Sequence, residues 1–178
     1  ILALCLGSAA AAYFYSAGPR PLGTIVLGQP LVLIFMGTLM VLGSYYVQTS
    51  AFTLEALWLS LPVACTVTAI LAANDIRDLE EDRAANKATI GTLLGRGFAR
   101  WEWTLLVAAA FLIVLGLYLM RVTGPTTRIS LLALPQAVAA VRLVWQGRER
   151  AELAQALRAT ARLHGLLGIL LAVGVAIR

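Results

Sequence analysis

Long apolar stretches alternate with short polar joins along the chain. A helix needs about 20 mainly apolar residues to cross the hydrocarbon layer of a membrane. The stretches that meet or approach this length cover about residues 1–16, 31–49, 55–73, 103–120, 129–146 and 163–178. None shows the period-two alternation of a membrane barrel strand, so only helices fit. The pattern therefore predicts an all-α, polytopic membrane helix bundle with six transmembrane helices.

The composition agrees with this class of protein. Hydrophobic residues make up 60% of the 178 residues and charged residues 13%, whereas a soluble domain carries about 25% charged residues. The net charge of +5 does not indicate nucleic-acid binding, because the basic residues flank the apolar stretches. Cys5 and Cys65 both lie in apolar stretches and are too few for a disulfide framework or a metal cluster.

The basic residues are distributed unequally between the joins. If all six stretches cross the membrane, one side carries ten Lys and Arg residues in its joins and the other side two, Arg121 and Arg128. The positive-inside rule places the ten in the cytoplasm. Six of them lie in the joins at 17–30 and 74–102: Arg20, Arg77, Arg83, Lys87, Arg96 and Arg100. The other four, Arg148, Arg150, Arg158 and Arg162, lie in an amphipathic stretch. We expect that stretch to be an interfacial helix on anionic lipid, with phosphate binding as the alternative.

An acidic segment follows the third apolar stretch directly. Residues 74–83 hold five of the nine acids of the chain. If the helix continues, Asn74, Asp78 and Asp82 recur every four residues and share one face. Carboxylates so placed repel one another unless cations lie between them. Hard oxygen ligands suit Mg²⁺, which binds through a few carboxylates and the phosphates of a substrate.

Basic side chains close to these acids could hold phosphate oxygens. They are Arg77, Arg83 and Lys87. The alternative is a solvated loop in which the acids and bases form ordinary surface ion pairs.

Three motifs occur in order between about residues 13 and 102. The acidic segment continues into Lys87-Ala88-Thr89 and Leu94-Gly95-Arg96. Upstream lie Tyr15-Ser16-Ala17-Gly18-Pro19, Pro21-Leu22 and Gly43-Ser44-Tyr45-Tyr46-Val47-Gln48-Thr49. Together these motifs resemble those of the UbiA-type intramembrane prenyltransferases, and most of all the menaquinone branch of that family.

The resemblance implies a fold of nine helices with two Asp-rich motifs that bind a prenyl diphosphate through Mg²⁺. Six helices with the acids after the third would correspond to helices four to nine. We therefore expect residues 1–178 to be the C-terminal part of one transmembrane prenyltransferase domain, without its N-terminal helices and first Asp-rich motif. With one motif of two, we expect this chain alone to be inactive.

Two positions depart from the motifs of the menaquinone branch. Asp75 stands where the branch has Asn, which adds a carboxylate. Asn86 stands where the branch has Gly before the lysine, a change that is tolerable if the position needs a positive φ.

The resemblance also implies an activity and a set of roles. The activity is Mg²⁺-dependent transfer of a polyprenyl group from a prenyl diphosphate to an aromatic acceptor, 1,4-dihydroxy-2-naphthoate in menaquinone biosynthesis. Asp78 and Asp82 would be catalytic. The metal ligands would be Asn74, Asp75, Asp78 and Asp82, and the diphosphate ligands Arg77, Arg83 and Lys87. Candidates for the acceptor or tail cavity are Tyr15, Tyr45, Tyr46 and Gln48, for which interfacial anchoring is the alternative. The prenyl tail would lie among apolar helices open to lipid, with the site facing the cytoplasm of a bacterial plasma membrane.

Other functions remain open at this point. The acceptor could be another aromatic compound, such as 4-hydroxybenzoate or a tetrapyrrole. A cation-binding transporter is the non-enzymatic alternative, although its acids would lie near the middle of the membrane within broken helices. A CDP-alcohol phosphotransferase would need an Asp-Gly pair, which the chain lacks.

Overall fold

A computed structural model describes residues 2–17 and 21–177. These residues form eight main helices, one short 3₁₀ helix at Leu22–Thr24, and no strand. The helices are α1 (Leu2–Ser16), α2 (Gly28–Thr49), α3 (Leu54–Arg77), α4 (Leu79–Ala84), α5 (Ile90–Leu94), α6 (Arg96–Leu119), α7 (Pro125–Gln146) and α8 (Arg150–Ala176). Gly18 and Pro19 of the upstream motif, and Arg20 of the charge count, lie outside the described residues.

Five of these helices are long and apolar enough to cross a membrane. They are α2, α3, α6, α7 and α8, with 22 to 27 residues each. The first predicted span corresponds to α1, whose 15 residues extend about 22 Å, less than the hydrocarbon core of about 30 Å. The prediction of an all-α membrane bundle is confirmed, with five helices of spanning length in the described part of the chain.

Helix α8 differs from its prediction. The amphipathic stretch and the last apolar stretch are one continuous helix, Arg150–Ala176, so no separate interfacial helix precedes the span. Its start is fixed by a capping box between Glu149 and Glu152. Neither Gly nor Pro occurs between Arg150 and His164, so nothing in the sequence ends the helix before the apolar part begins.

Helix α3 lies at the centre of the bundle and packs against α2, α6 and α8. Its Thr53 cap accepts a hydrogen bond from the backbone N–H of Ala56 at 3.1 Å. The core between α3, α6, α7 and α8 is apolar and rich in alanine, with Ala69, Ala73 and Trp103 almost fully buried. These small side chains on α3 allow the neighbouring helices to approach closely.

Helices α3 and α8 run antiparallel in a defined register. The Oγ1 of Thr66 lies 2.8 Å from Nδ1 of His164 in the middle of the pair. At the end of α3, Arg150 Nη2 donates to Asp78 Oδ1 at 3.3 Å. The start of α8 therefore lies over the acidic segment, which makes up one end of the bundle. We call this the acidic end.

Candidate functional site at the acidic end

The backbone bends at Asp78. This residue ends α3 and precedes α4, with φ −97° and ψ 15°. Two backbone hydrogen bonds nevertheless continue through the bend: the Asp78 N–H donates to the Asn74 carbonyl at 2.9 Å, and the Asp82 N–H to the Asp78 carbonyl at 2.8 Å. The continuous helix that would place Asn74, Asp78 and Asp82 on one face is therefore interrupted at Asp78. The side chains of Asn74 and Asp78 belong to one cluster and that of Asp82 to another.

The first cluster is built around Arg77. Its Nε donates to Asp78 Oδ1 at 2.7 Å, and its Nη2 donates to Asp78 Oδ2 and, at 2.7 Å, to Asn74 Oδ1. Arg150 of α8 also binds Asp78 and Glu81. The hydrogen bond from Arg77 holds the pKa of Asp78 below its usual value, although partial burial opposes this shift. Asp78 is therefore an ionised carboxylate between two guanidinium groups.

The second cluster is built around Lys87. Its Nζ donates to Asp75 Oδ1 at 2.9 Å and to Asp82 Oδ2 at 3.0 Å. Burial alone would lower the pKa of Lys87, but the hydrogen bonds and charges of the two carboxylates outweigh it and raise that pKa. Asp75, Asp82 and Lys87 thus form one charged group in which two carboxylates converge on a single cation.

Asp75 extends this cluster into the bundle. It is only 4% exposed, and its Oδ2 accepts from Gln29 Nε2 at 3.3 Å. The same Gln29 nitrogen also donates to Glu102 Oε2 at 3.3 Å. Residues from α2, α3 and α6 therefore meet around one amide group.

The loop that carries Lys87 has a fixed shape. Asn86 adopts a positive φ of 54°, as expected if Asn replaces Gly there. Thr89 caps α5 through reciprocal hydrogen bonds with Thr92. The Ala88 N–H donates to the Thr24 carbonyl at 2.8 Å, which ties the loop to the segment before α2. Thr89 of the predicted motif is therefore a helix cap, and the hydroxyl of its partner Thr92 donates to the Lys87 carbonyl at 2.8 Å.

Gly95 joins α5 to α6 in a conformation that needs glycine. Its φ of 93° and ψ of 163° lie in a region closed to residues with a Cβ. The Leu-Gly pair of the third motif is thus explained by backbone geometry.

Arg83 lies apart from both clusters. It pairs with Glu80 at 3.0 Å on the surface of α4, and its side chain is 54% exposed. Arg96 also approaches Glu80, at 3.4 Å. The predicted diphosphate-binding role of Arg83 stays a prediction.

Two cavities adjoin these clusters. A small one, of about 10 Å³, is lined by Gln29, Asp75, Lys87 and Thr89 among others, and has room for about one water molecule. A large one, of about 870 Å³, lies between α1, α2, α3 and α8. Tyr15 and Leu71 line both cavities, so their side chains form the wall between them.

The large cavity is mostly apolar and ends near the acidic segment. Asn74 lines it at that end. Its apolar lining is Leu31, Val32, Phe35, Met36, Leu39, Met40, Val67, Ile70, Leu71 and Leu157. A charged cluster and a long apolar cavity therefore meet around Asn74 and Tyr15, which suits a ligand with a charged head and an apolar tail.

Three of the predicted cavity residues lie elsewhere. Tyr45, Tyr46 and Gln48 belong to the last turns of α2, and neither of these two cavities includes them. Tyr46 stacks on Phe52 with ring centroids 4.6 Å apart. Their role in binding acceptor or tail stays a prediction, whereas Tyr15 does line the large cavity.

Sequence reasoning missed Gln29 and Glu102 and gave Arg150 another role. Glu102 is the only acid of α6, and an acid near the end of an apolar span is the sign that could have drawn attention to it. Gln29 carries no comparable sign, because a single amide at a helix start is common.

The part of the chain that the structure describes holds no group of three or more His, Cys, Asp or Glu side chains placed to bind a metal ion. Asp75 and Asp82 share the ammonium group of Lys87, and Asp78 and Glu81 share the guanidinium group of Arg150. Each of Asp75, Asp78 and Asp82 accepts a hydrogen bond from a basic side chain. Carboxylates and bases are thus paired within the chain.

These features define an integral membrane protein in which a charged cluster at one end of a helical bundle adjoins an apolar cavity. The model of the UbiA prenyltransferase family matches residues 1–173. The chain therefore belongs to the UbiA prenyltransferase family, as its motifs predicted.

Individual relatives point to one branch of the family. The 1,4-dihydroxy-2-naphthoate octaprenyltransferase of Bacillus subtilis is 31% identical over 165 residues, which cover 93% of this chain and 53% of that protein. The enzyme of the same name from Mycobacterium tuberculosis is 32% identical over 162 residues, 89% of this chain and 52% of that protein. The 2-carboxy-1,4-naphthoquinone phytyltransferase of Synechocystis is 30% identical over 163 residues, which cover 91% of this chain and 53% of that protein.

The chain thus spans about half the length of the curated relatives it matches. No solved structure matches it.

Proposed function

We propose that the whole protein transfers a polyprenyl group from a prenyl diphosphate to an aromatic acceptor, with 1,4-dihydroxy-2-naphthoate as the acceptor and Mg²⁺ as the cofactor. Relatives from three bacterial genera carry the name of this naphthoate prenyltransferase. The Synechocystis relative is named for a phytyl chain and a carboxylated naphthoquinone, so the naphthalene ring is common to both names while the chain differs. The reaction would serve menaquinone biosynthesis.

One structural observation carries the proposal. The charged clusters around Arg77 and Lys87 adjoin a cavity of about 870 Å³, and Asn74 and Tyr15 lie where they meet. A prenyl diphosphate has the matching form, a dianionic or trianionic head on a long apolar chain. Its head would bind at the acidic end and its tail in the cavity.

The oxygen atoms at the acidic end fit Mg²⁺ by their chemistry. The side chains that would hold the ion are Asn74, Asp75, Asp78 and Asp82, supplemented by phosphate oxygens, as Mg²⁺ prefers. Asp75 and Asp82 already face one cationic group, the ammonium of Lys87. When bound, the ion supplies positive charge that stabilises the leaving diphosphate.

The basic residues of the chain would act on the same leaving group. The bond between the allylic carbon and the diphosphate oxygen breaks, and its electron pair stays with the diphosphate. Arg77 and Lys87 would donate hydrogen bonds to the phosphate oxygens as this charge develops. The allylic cation forms a carbon–carbon bond with the electron-rich ring of the acceptor. The ring regains its aromaticity by losing a proton from the attacked carbon, or CO₂ if that carbon carries the carboxylate. Apolar walls around the tail would keep water from the cation.

We also infer that the acidic end faces the cytoplasm of a bacterial plasma membrane. The excess of ten basic residues over two in the joins supports this orientation. A cytoplasmic prenyl diphosphate would then reach the site from its own compartment.

The test is the loss of transfer in variants of the acidic segment of the full-length protein. Asp78→Ala and Asp82→Ala are each expected to reduce prenyl transfer about 100-fold or more, since removal of one electrostatic group at a developing charge costs this much. Diphosphate release and prenylated product are measured with 1,4-dihydroxy-2-naphthoate and, in parallel, with 4-hydroxybenzoate. Membrane insertion should be unchanged.

Glu80→Ala is the matched control. Glu80 lies in the same segment but is 67% exposed and pairs with Arg83 and Arg96 on the surface. Its loss is expected to leave turnover within about 2-fold, as surface ion pairs contribute little. Near-normal turnover of Asp78→Ala or Asp82→Ala would contradict the site, and transfer to 4-hydroxybenzoate alone would contradict the acceptor.

A further inference from the structure

The large cavity has one charged residue in its described lining, Arg158 of α8. The remaining lining residues are apolar or neutral, and none is acidic. A positive charge beside an apolar cavity escapes the cost of burial when it reaches solvent, as the exposed side chain of Arg158 does, and it can then meet an anionic ligand that enters the cavity.

Arg158 lies near the acidic end of the cavity. The two contacts between α3 and α8, Thr66 with His164 and Asp78 with Arg150, fix the antiparallel register. Arg158 falls between Arg150 and His164 on α8. It is therefore level with the last turns of α3, where Asn74 lines the same cavity.

Arg158 differs from the bases of the two charged clusters. Arg77, Lys87 and Arg150 are all bound to carboxylates. The exposed side chain of Arg158 makes no hydrogen bond or ion pair with any residue that the structure describes. Its five N–H donors are thus available to a ligand.

The amide of Asn74 adds a donor of the same kind. Its Oδ1 already accepts from Arg77 at 2.7 Å, which leaves the Nδ2 group as a donor that has no hydrogen bond to any residue the structure describes. Two donor groups, one of them a guanidinium, then line the end of an apolar cavity where no carboxylate is present. Such a set binds an anionic oxygen of a phosphate or a carboxylate.

We propose that Arg158, together with the Asn74 amide, binds an anionic oxygen of the substrate at the acidic end of the large cavity. This proposal rests on the proposed function, in which two ligands carry such oxygens: the prenyl diphosphate and a carboxylated aromatic acceptor. Arg158 would thus add a contact from the last helix to the ligand-binding residues proposed between Asn74 and Lys87.

The experiment compares Arg158→Gln with Arg162→Gln in the full-length protein. Arg162 lies one turn further along α8, is exposed, has no partner among the described residues and does not line the cavity. Binding of inorganic diphosphate with Mg²⁺, and separately of 1,4-dihydroxy-2-naphthoate, is measured by calorimetry on protein in detergent. Binding is independent of turnover, so failure of the proposed reaction and failure of this contact can be told apart.

We expect Arg158→Gln to weaken one of the two ligands about 10-fold or more, the effect of losing a charged hydrogen bond, while Arg162→Gln changes neither by more than about 2-fold. Weaker diphosphate binding assigns the contact to the diphosphate. Weaker naphthoate binding, with 1,4-dihydroxynaphthalene unaffected, assigns it to the carboxylate. Arg158→Lys should restore part of the affinity.

Three results would overturn the proposal. Equal affinities in the two glutamine variants would show that Arg158 contacts neither ligand. Equal weakening in both would show an unspecific effect of surface charge. Absence of binding of both ligands by the unaltered protein would remove the site altogether.

Discussion

The ammonium group of Lys87 lies between the carboxylates of Asp75 and Asp82 and pairs with both of them. The Lys87 Nζ lies 2.9 Å from Asp75 and 3.0 Å from Asp82, which are distances typical of charged hydrogen bonds. Asp75 is almost fully buried, so it has little water to replace a lost partner. The lysine therefore stabilises the fold at this site, whatever its part in binding diphosphate.

Replacement of Lys87 by Met should lower the free energy of unfolding by about 2 kcal/mol. Removal of one partner from a buried ion pair costs about 3–5 kcal/mol, and the partial exposure of Lys87 reduces that figure. The measurement is thermal unfolding in detergent, with the double variant Asp75→Asn, Lys87→Met as the comparison. The double variant should be more stable than Lys87→Met alone, because the uncompensated charge is gone. Strictly additive losses would show that the two residues are not coupled.

Individual residues were predictable where a local rule applied. The positive φ of Asn86 follows from Asn in place of Gly. The grouping of Asp75, Asp78 and Asp82 at one end of the bundle follows from their position directly after an apolar stretch. The partner of each acid was not predictable. Asp75 and Asp82 share Lys87 because the chain bends at Asp78, and Gln29 joins Asp75 to Glu102 only through the packing of three helices.

Among the helices, α2 and α3 pack closely against each other at Gly37. A Cβ on Gly37 would overlap the Cα and Cβ of Ala64 on α3. The segment of α2 from Val32 to Leu39 is wound as a π-helix around this contact. A wider winding re-aims the side chains that follow, and several of them line the large cavity.

Gly37→Ala should therefore destabilise the protein by about 1–3 kcal/mol, the usual cost of an overpacked contact. Gly116→Ala is the control, since a Cβ there meets no atom within 4 Å and Ala favours the helix. The midpoints of thermal unfolding in detergent give the comparison. Equal stability of both variants would contradict the close contact.

At the level of helices, hydropathy predicted the order of the long elements but not their ends. It predicted six spans, whereas five helices of the described residues are long enough to cross a membrane. Helix α3 runs four residues beyond its predicted end, to Arg77, because polar residues continue a helix as well as apolar ones do. The same holds for α8, where a polar first half and an apolar second half form one helix. A search for apolar stretches detects only the apolar half of such a helix.

The large cavity is a property of the whole molecule. Helices α1, α2, α3 and α8 each contribute to its walls, so no single stretch of sequence encodes it. Along α2 it runs from Leu31 to Gly43, about 18 Å at the usual helical rise. The order of the spans and the class of the protein could be predicted from the sequence, whereas this volume depends on how the helices pack.

A bulky side chain at Gly43 should reduce the length of prenyl chain that the cavity can accommodate. A Cβ at Gly43 meets no atom within 4 Å, so Gly43→Phe fills the part of the cavity far from Asn74. We expect the KM for a C40 prenyl diphosphate to rise about 10-fold, because buried methylenes contribute about 0.8 kcal/mol each, while the KM for geranyl diphosphate stays within about 2-fold.

Gly168→Phe on α8 is the control for this variant. Gly168 also has open space around a Cβ but does not line the cavity. Turnover of both diphosphates by the full-length protein is the measurement. A parallel rise for long and short chains, or the same rise in the control, would contradict a tail site in this cavity.

The contact between Arg150 and the acidic segment also sets an order of events during synthesis. Asp78 leaves the ribosome 72 residues before the arginine that binds it. At about 5–20 residues per second, this interval lasts about 4 to 14 seconds. Throughout it, α3 is complete while α8 does not yet exist, and Asp78 has Arg77 as its sole partner among the residues described. The acidic end is thus complete only when the last helix is inserted. In a nascent chain halted before α8, Asp78 and Glu81 lack their contact with Arg150.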